Sequence, residues 1–115
     1  MTTVTPAIGI FATAALVGIY LLSLVLTNKK TPKAVALIHG ALAATGITLL
    51  LIYTIHHSPK PIESLVAFTM AAMGGLILVV RDVISKPLPK WLAVGHGLIA
   101  VTGFVFLLIF HFANS

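Results

Sequence analysis

The chain has 115 residues, of which 59% are apolar and only 8% are charged, and its formal net charge is +5. This balance excludes an ordinary soluble domain of that length and predicts a membrane protein. The absence of cysteine excludes disulfides, thiolate metal sites and cysteine nucleophiles. A nucleic-acid interface would need a basic soluble surface that so apolar a chain lacks, so we expect the lipid bilayer as a partner and no nucleic acid.

Polar residues and prolines divide the chain into four apolar segments, near residues 6–27, 33–55, 62–84 and 90–112. Each is long enough to cross a hydrocarbon core of about 30 Å as a helix. The segments lack the alternation of apolar and polar residues that barrel strands show. A signal peptide carries a basic residue before its apolar run, and the first segment has none. We therefore predict an all-α membrane protein, a bundle of four transmembrane helices in one domain, residues 1–115.

Basic residues predict how the chain crosses the membrane. Three lie between the first and second segments and three between the third and fourth, whereas only Lys60 lies between the second and third. Loops rich in lysine and arginine stay in the cytoplasm. We therefore expect both termini outside the cytoplasm, in a multi-pass protein of a bacterial inner membrane.

An internal repeat is visible when residues 5–58 are aligned without gaps on residues 62–115. Of the 54 paired positions, 18 are identical, all at an offset of 57 residues. Because each copy spans two helices, the copies would enter the membrane in the same direction and be related by an axis along its normal. This predicts two parallel two-helix repeats, with the second and fourth helices in equivalent, diagonal positions.

The identical positions form one face of each helix, which we expect to point at the bundle axis. Many of them are small residues spaced four apart, and such residues let membrane helices approach closely without any cofactor. Packing alone does not account for His39 and His96, which are also paired by the repeat. An imidazole inside the bilayer is costly unless its nitrogens find partners, so both are candidate functional residues.

The chemistry open to this pair is narrow. Each histidine lies seven residues after a proline that begins its helix, so both lie at one depth, and no Asp or Glu is close to that depth. Zinc requires three or four protein ligands, and a hydrolase or proton relay would need further polar groups. Haem needs only two axial ligands from the protein, because the porphyrin fills the other four positions around iron.

A planar ring between the second and fourth helices would need small residues beside its ligands and cations near its propionates. We expect Lys33 and Lys90 to bind the propionates through charge-assisted hydrogen bonds, although these lysines also serve as topology signals. The residues expected to line the ring are Gly40, Ala43 and Gly46 in the first repeat and Gly97, Ala100 and Gly103 in the second.

The motifs "IHG" at 38–40 and "GHG" at 95–97, together with the helix count, resemble the membrane four-helix bundles of b-type cytochromes. The resemblance implies haem b held by His39 and His96 as metal ligands, electron transport as the activity, and a quinone or an unidentified protein as redox partner. Larger dihaem bundles of this kind carry a second histidine further along each helix. Tyr53 and Phe110 stand at those positions here, so the resemblance implies one haem.

A second interpretation stays open: a cofactor-free membrane module, either an accessory subunit or a small transporter, whose histidines bond across the bundle axis. Neither interpretation decides whether the chain is an enzyme or a homo-oligomer. His56, His57 and His111 lie at the outer ends of the second and fourth helices without symmetric partners. They fit a headgroup-level role or an outer metal site.

Overall fold

The computed structural model describes residues 4–114, and its elements are four α-helices. Helix α1 is Val4–Leu26, α2 is Lys33–His56, α3 is Ile62–Val83 and α4 is Lys90–Ala113. These bounds match the four apolar segments to within a few residues. All four helices are long and apolar enough to cross a membrane, which is the make-up of an integral multi-pass membrane protein. Large apolar side chains such as Leu16 and Trp91 are exposed on the outside of the bundle.

Local sequence explains where the helices begin and end. Prolines occupy the position before α2, α3 and α4, where their fixed φ and missing N–H do no harm. Helices α1 and α3 end in the same way, because Asn28 and Ser85 both have φ of 60°. The next residues, Lys29 and Lys86, donate their N–H groups five residues back at 2.8 and 2.9 Å. This is the Schellman arrangement, which turns the chain sharply towards the following helix.

Consecutive helices are antiparallel neighbours and form a four-helix bundle that measures 43 × 20 × 19 Å. Each helix packs against two neighbours, and the packing is most extensive within the hairpins α1–α2 and α3–α4. The α2–α4 and α1–α3 pairs stand diagonally opposite each other, as expected for α2 and α4 from the sequence. The loops 27–32 and 84–89 therefore lie together at one end, called the basic end below.

The two halves of the bundle are packed differently. In the half away from the basic end, Phe11 of α1 and Phe68 of α3 stack across the axis with ring centres 3.8 Å apart and planes at 3°. Leu50 and Leu107 are fully buried beside them. From mid-helix towards the basic end, the buried apolar residues of the described chain are alanines: Ala14 and Ala71 near the middle of α1 and α3, and Ala93 in the first turn of α4. The wide side chains thus close one half, and small residues line the other.

Candidate functional site at the bundle axis

His39 and His96 each bind a backbone carbonyl of the neighbouring helix in their own hairpin. Nδ1 of His39 lies 2.9 Å from the carbonyl oxygen of Ala14, and Nδ1 of His96 lies 2.7 Å from that of Ala71. A carbonyl oxygen only accepts, so Nδ1 must carry the hydrogen and donate it. In a neutral imidazole this leaves the lone pair on Nε2. Metal-binding histidines are commonly oriented by such a bond at the other ring nitrogen.

The two imidazoles face each other across the diagonal between α2 and α4. Their ring centres are 6.0 Å apart and their planes are nearly perpendicular, at 83°. Both side chains are half-buried. The hydrogen bonds among residues 4–114 include none to Nε2 of either ring and none between the rings. The pair thus has two Nε2 atoms that make no hydrogen bond within residues 4–114.

Glycines on α1 and α3 make room for the imidazoles. A Cβ atom added at Gly18 would lie 2.9 Å from Cε1 of His39, and one added at Gly75 would lie 2.9 Å from Cε1 of His96. Real Cβ atoms do not come so close to another carbon. These two glycines belong to the site, and they are among the identical positions that were expected only to point at the bundle axis. Their pairing at the repeat offset was the signal that could have singled them out.

The six small residues predicted to line a planar ring have different surroundings. Gly46 and Gly103 are buried against the stacked rings of Phe11 and Phe68, about two helical turns from the histidines. Ala43 and Ala100 are half-buried between these levels.

The glycines that directly follow the histidines are less enclosed. Gly40 is exposed, and a Cβ atom added there would meet nothing within 4 Å. A Cβ atom added at Gly97 would meet only Cδ2 of Leu22 of α1, at 4.0 Å. At the level of the histidines, the tight approach is therefore made by α1 and α3 glycines.

Lys33 and Lys90 begin α2 and α4, six residues and about 9 Å along the axis before the histidines. Both are exposed and line a depression of about 410 Å³ at the basic end. One wall of this depression is held by a hydrogen bond of 2.8 Å from the Thr31 hydroxyl to the Asp82 carboxylate. The only other acidic residue, Glu63, lies in the first turn of α3 at the opposite end.

The remaining histidines lie at that opposite end. His57 stacks on Tyr53 with ring centres 4.3 Å apart, and its Nδ1 lies 3.2 Å from the Tyr53 carbonyl oxygen. His111 contacts Phe112 edge to face, and His56 is exposed. Within residues 4–114, no three histidine or acidic side chains come together in a way that could hold a metal ion. A metal bound by His39 and His96 would therefore need its other ligands from elsewhere.

Comparison of the chain with protein-family models, with curated proteins and with solved structures gave no match. The fold and site define an all-helical, membrane-type four-helix bundle with a facing histidine pair on its axis.

Proposed function

We propose that the protein is a b-type membrane cytochrome that holds one haem between α2 and α4, with His39 and His96 as axial ligands. The observation that carries the proposal is the arrangement of the two imidazoles. Each is oriented by a carbonyl of its own hairpin, and the two face each other at one depth across the bundle diagonal. Such a pair is what a metal already ringed by four porphyrin nitrogens requires of a protein.

The spacing and the donor set fit this group. Two imidazoles on opposite sides of one metal have ring centres about 6 Å apart, since each metal–nitrogen bond is about 2 Å and each nitrogen lies about 1 Å from its ring centre. The observed separation is 6.0 Å. Neutral imidazole is an established axial ligand of haem iron, and Nε2 is the nitrogen that the Ala14 and Ala71 carbonyls leave available.

The other residues support the site in distinct ways. Gly18 and Gly75 leave space on α1 and α3 for the two imidazoles. Ala43 and Ala100 are small residues of α2 and α4, one turn further along from the histidines. The Phe11–Phe68 stack and the leucines around it exclude water from the opposite half of the bundle.

Cations complete the proposed site. Lys33 and Lys90 would bind the propionates at the basic end. When bound, haem supplies a one-electron redox couple, so the proposed activity is electron transfer with a quinone or a protein as partner.

We infer two parallel two-helix repeats, residues 5–58 and 62–115, related by an axis near the membrane normal. Support comes from contacts that recur at the offset of 57, such as His39 to Ala14 and His96 to Ala71. We also infer that the basic end faces the cytoplasm of a bacterial inner membrane, with both termini outside, because it carries six of the seven basic residues.

A cofactor-free module is the second candidate, and one observation favours it. Each histidine already ties two helices together through its carbonyl bond and fills the space above a glycine, so the pair has a packing role of its own. In this interpretation, the protein is an accessory subunit or a small transporter. The direct imidazole–imidazole hydrogen bond that it would favour is not among the bonds of residues 4–114.

An absorption spectrum separates the two candidates. The protein is purified in mild detergent from cells that make haem, and we expect one low-spin haem b per chain with the sharp paired visible bands of a reduced bis-histidine site. His39→Ala and His96→Ala should each abolish these bands, because one ligand would be lost. His111→Ala is the matched control and should keep them. A folded, helical protein that stays colourless after haem is added would reject the cytochrome and leave the cofactor-free module.

A further inference from the structure

The depression at the basic end is concave, and most of its charged residues are lysines. It has a volume of about 410 Å³ and lies between the loops 27–32 and 84–89. This volume is within the range of small-ligand sites in proteins. Five lysines contribute to its lining: Lys29, Lys30, Lys33, Lys86 and Lys90.

The lysines have no carboxylate that neutralises them. Asp82 is the one acidic residue of the lining, and its Oδ1 accepts a hydrogen bond from Thr31. Thr31 is itself buried, so the loop 27–32 is held against the end of α3. No ion pair between a lysine and a carboxylate occurs at this end of the described chain. A concave surface lined by one sign of charge focuses the field and attracts ions of the opposite sign.

Two helices begin at the rim of the same depression. α2 and α4 start at Lys33 and Lys90, and the prolines before them make no side-chain cap. The first intrahelical bonds are those from Ala36 to Pro32 and from Ala93 to Pro89. The N–H groups before them carry the positive end of each helix dipole. These dipoles add to the charge of the five lysines.

We propose that this depression binds a phosphate group, carried either by an acidic lipid headgroup or by a soluble phosphate compound. A phosphate has the charge and the acceptor oxygens to satisfy several ammonium groups at once. The depression lies at the ends of helices that are long and apolar enough to span the hydrocarbon core. This position corresponds to the headgroup layer of the membrane. Lys33 and Lys90 are shared with the proposed haem site, whereas Lys29, Lys30 and Lys86 are not, so the test below changes only lysines that the haem proposal does not use.

The test compares lysines of the depression with the one lysine at the other end of the bundle. Lys29→Gln/Lys86→Gln removes two charges from the lining, and Lys60→Gln is the control. Lys29→Arg/Lys86→Arg keeps the charge and should keep the binding. Purified protein is titrated in nonionic detergent at low salt with phosphatidylglycerol and with phosphatidylcholine of the same chains, and bound lipid is measured by native mass spectrometry. A parallel calorimetric titration uses inorganic phosphate.

We expect phosphatidylglycerol to bind at least tenfold more tightly than phosphatidylcholine. The double glutamine variant should lose about 25-fold, or about fivefold per lysine, and Lys60→Gln should lose nothing. Binding of inorganic phosphate without lipid preference would support the site and assign it to a soluble compound. The proposal is overturned if neither phosphatidylglycerol nor inorganic phosphate binds. It is also overturned if the double glutamine variant and the Lys60→Gln control both bind these ligands as tightly as the unmodified protein. The helical circular dichroism of each variant shows that it is folded.

Discussion

Replacing Gly18 by alanine tests whether the imidazoles are held as tightly as the structure shows. The new Cβ would lie 2.9 Å from Cε1, 3.5 Å from Nδ1 and 3.6 Å from Nε2 of His39. The ring must then move away from α1, which also carries the carbonyl of Ala14. A displacement of about 0.6 Å would stretch the Nδ1···O distance to about 3.5 Å, beyond a normal hydrogen bond.

The size of the effect follows from three contributions. Overpacking a tight contact costs about 1–3 kcal/mol, and a hydrogen bond between membrane helices contributes about 0.6 kcal/mol on average. Alanine regains up to about 1 kcal/mol over glycine within a helix. With the full gain from alanine, we therefore expect Gly18→Ala to lower the free energy of unfolding by about 0.5–2.5 kcal/mol. Gly75→Ala should behave alike, because its Cβ would also lie 2.9 Å from a histidine Cε1.

In the assay, SDS is added to protein in mild detergent, and unfolding is measured as the loss of helical circular dichroism. Gly9→Ala is the matched control, since Gly9 lies on the same helix and a Cβ there meets nothing within 4 Å. It should leave the stability unchanged or raise it by up to about 1 kcal/mol. If Gly18→Ala proves as stable as Gly9→Ala, the close contact between α1 and His39 does not exist and the oriented imidazole loses its basis.

Three further predictions test other parts of the bundle. Gly46→Ala should destabilise the bundle more than Gly103→Ala. The added Cβ would lie 2.8 Å from phenylalanine ring carbons in the first variant and 3.2 Å from its nearest neighbours in the second. SDS unfolding of the two variants measures the difference, and equal losses of stability would contradict the prediction. Thr31→Val should cost about 0.5–1.5 kcal/mol in the same assay by removing the bond to Asp82, and no loss would mean that this bond does not hold the loop. A reporter active only in the cytoplasm should be inactive when fused to the carboxyl end of the chain, and an active fusion would reverse the proposed orientation.

The sequence predicted the helices and the meeting of the histidines well. Apolar runs bounded by prolines and lysines set the helix bounds, because hydrocarbon thickness fixes the length and proline fixes the start. The offset of 57 placed α2 and α4 as equivalents, and equivalence in a four-helix bundle favours the diagonal. His39 and His96 share a face and a depth, so they had to meet near the axis.

The immediate surroundings of the histidines were not predictable in the same way. The acceptors at Ala14 and Ala71 are backbone carbonyls, which every residue carries and no sequence pattern marks. Helical periodicity gives the face of a residue but not its contact across the bundle, so the sequence did not indicate that Gly46 and Gly103 pack against phenylalanines. The exposure of Gly40 was not predicted either, since a step of one residue from His39 turns a side chain by about 100° around the helix.

The distribution of polar bonds between the helices bears on how the chain is assembled in the membrane. Both histidine bonds lie within a hairpin, and the hairpins also have the most extensive packing, whereas the Thr31–Asp82 bond joins one hairpin to the other. The first hairpin can therefore satisfy its half-buried imidazole as soon as α1 and α2 are inserted, before α3 and α4 have left the ribosome, and the second hairpin can then do the same on its own. Docking of the two hairpins then requires apolar contact and the part-buried bond from Thr31 to Asp82. We accordingly expect the loop 57–61 to tolerate a break, with two separately expressed hairpins reassembling in the bilayer.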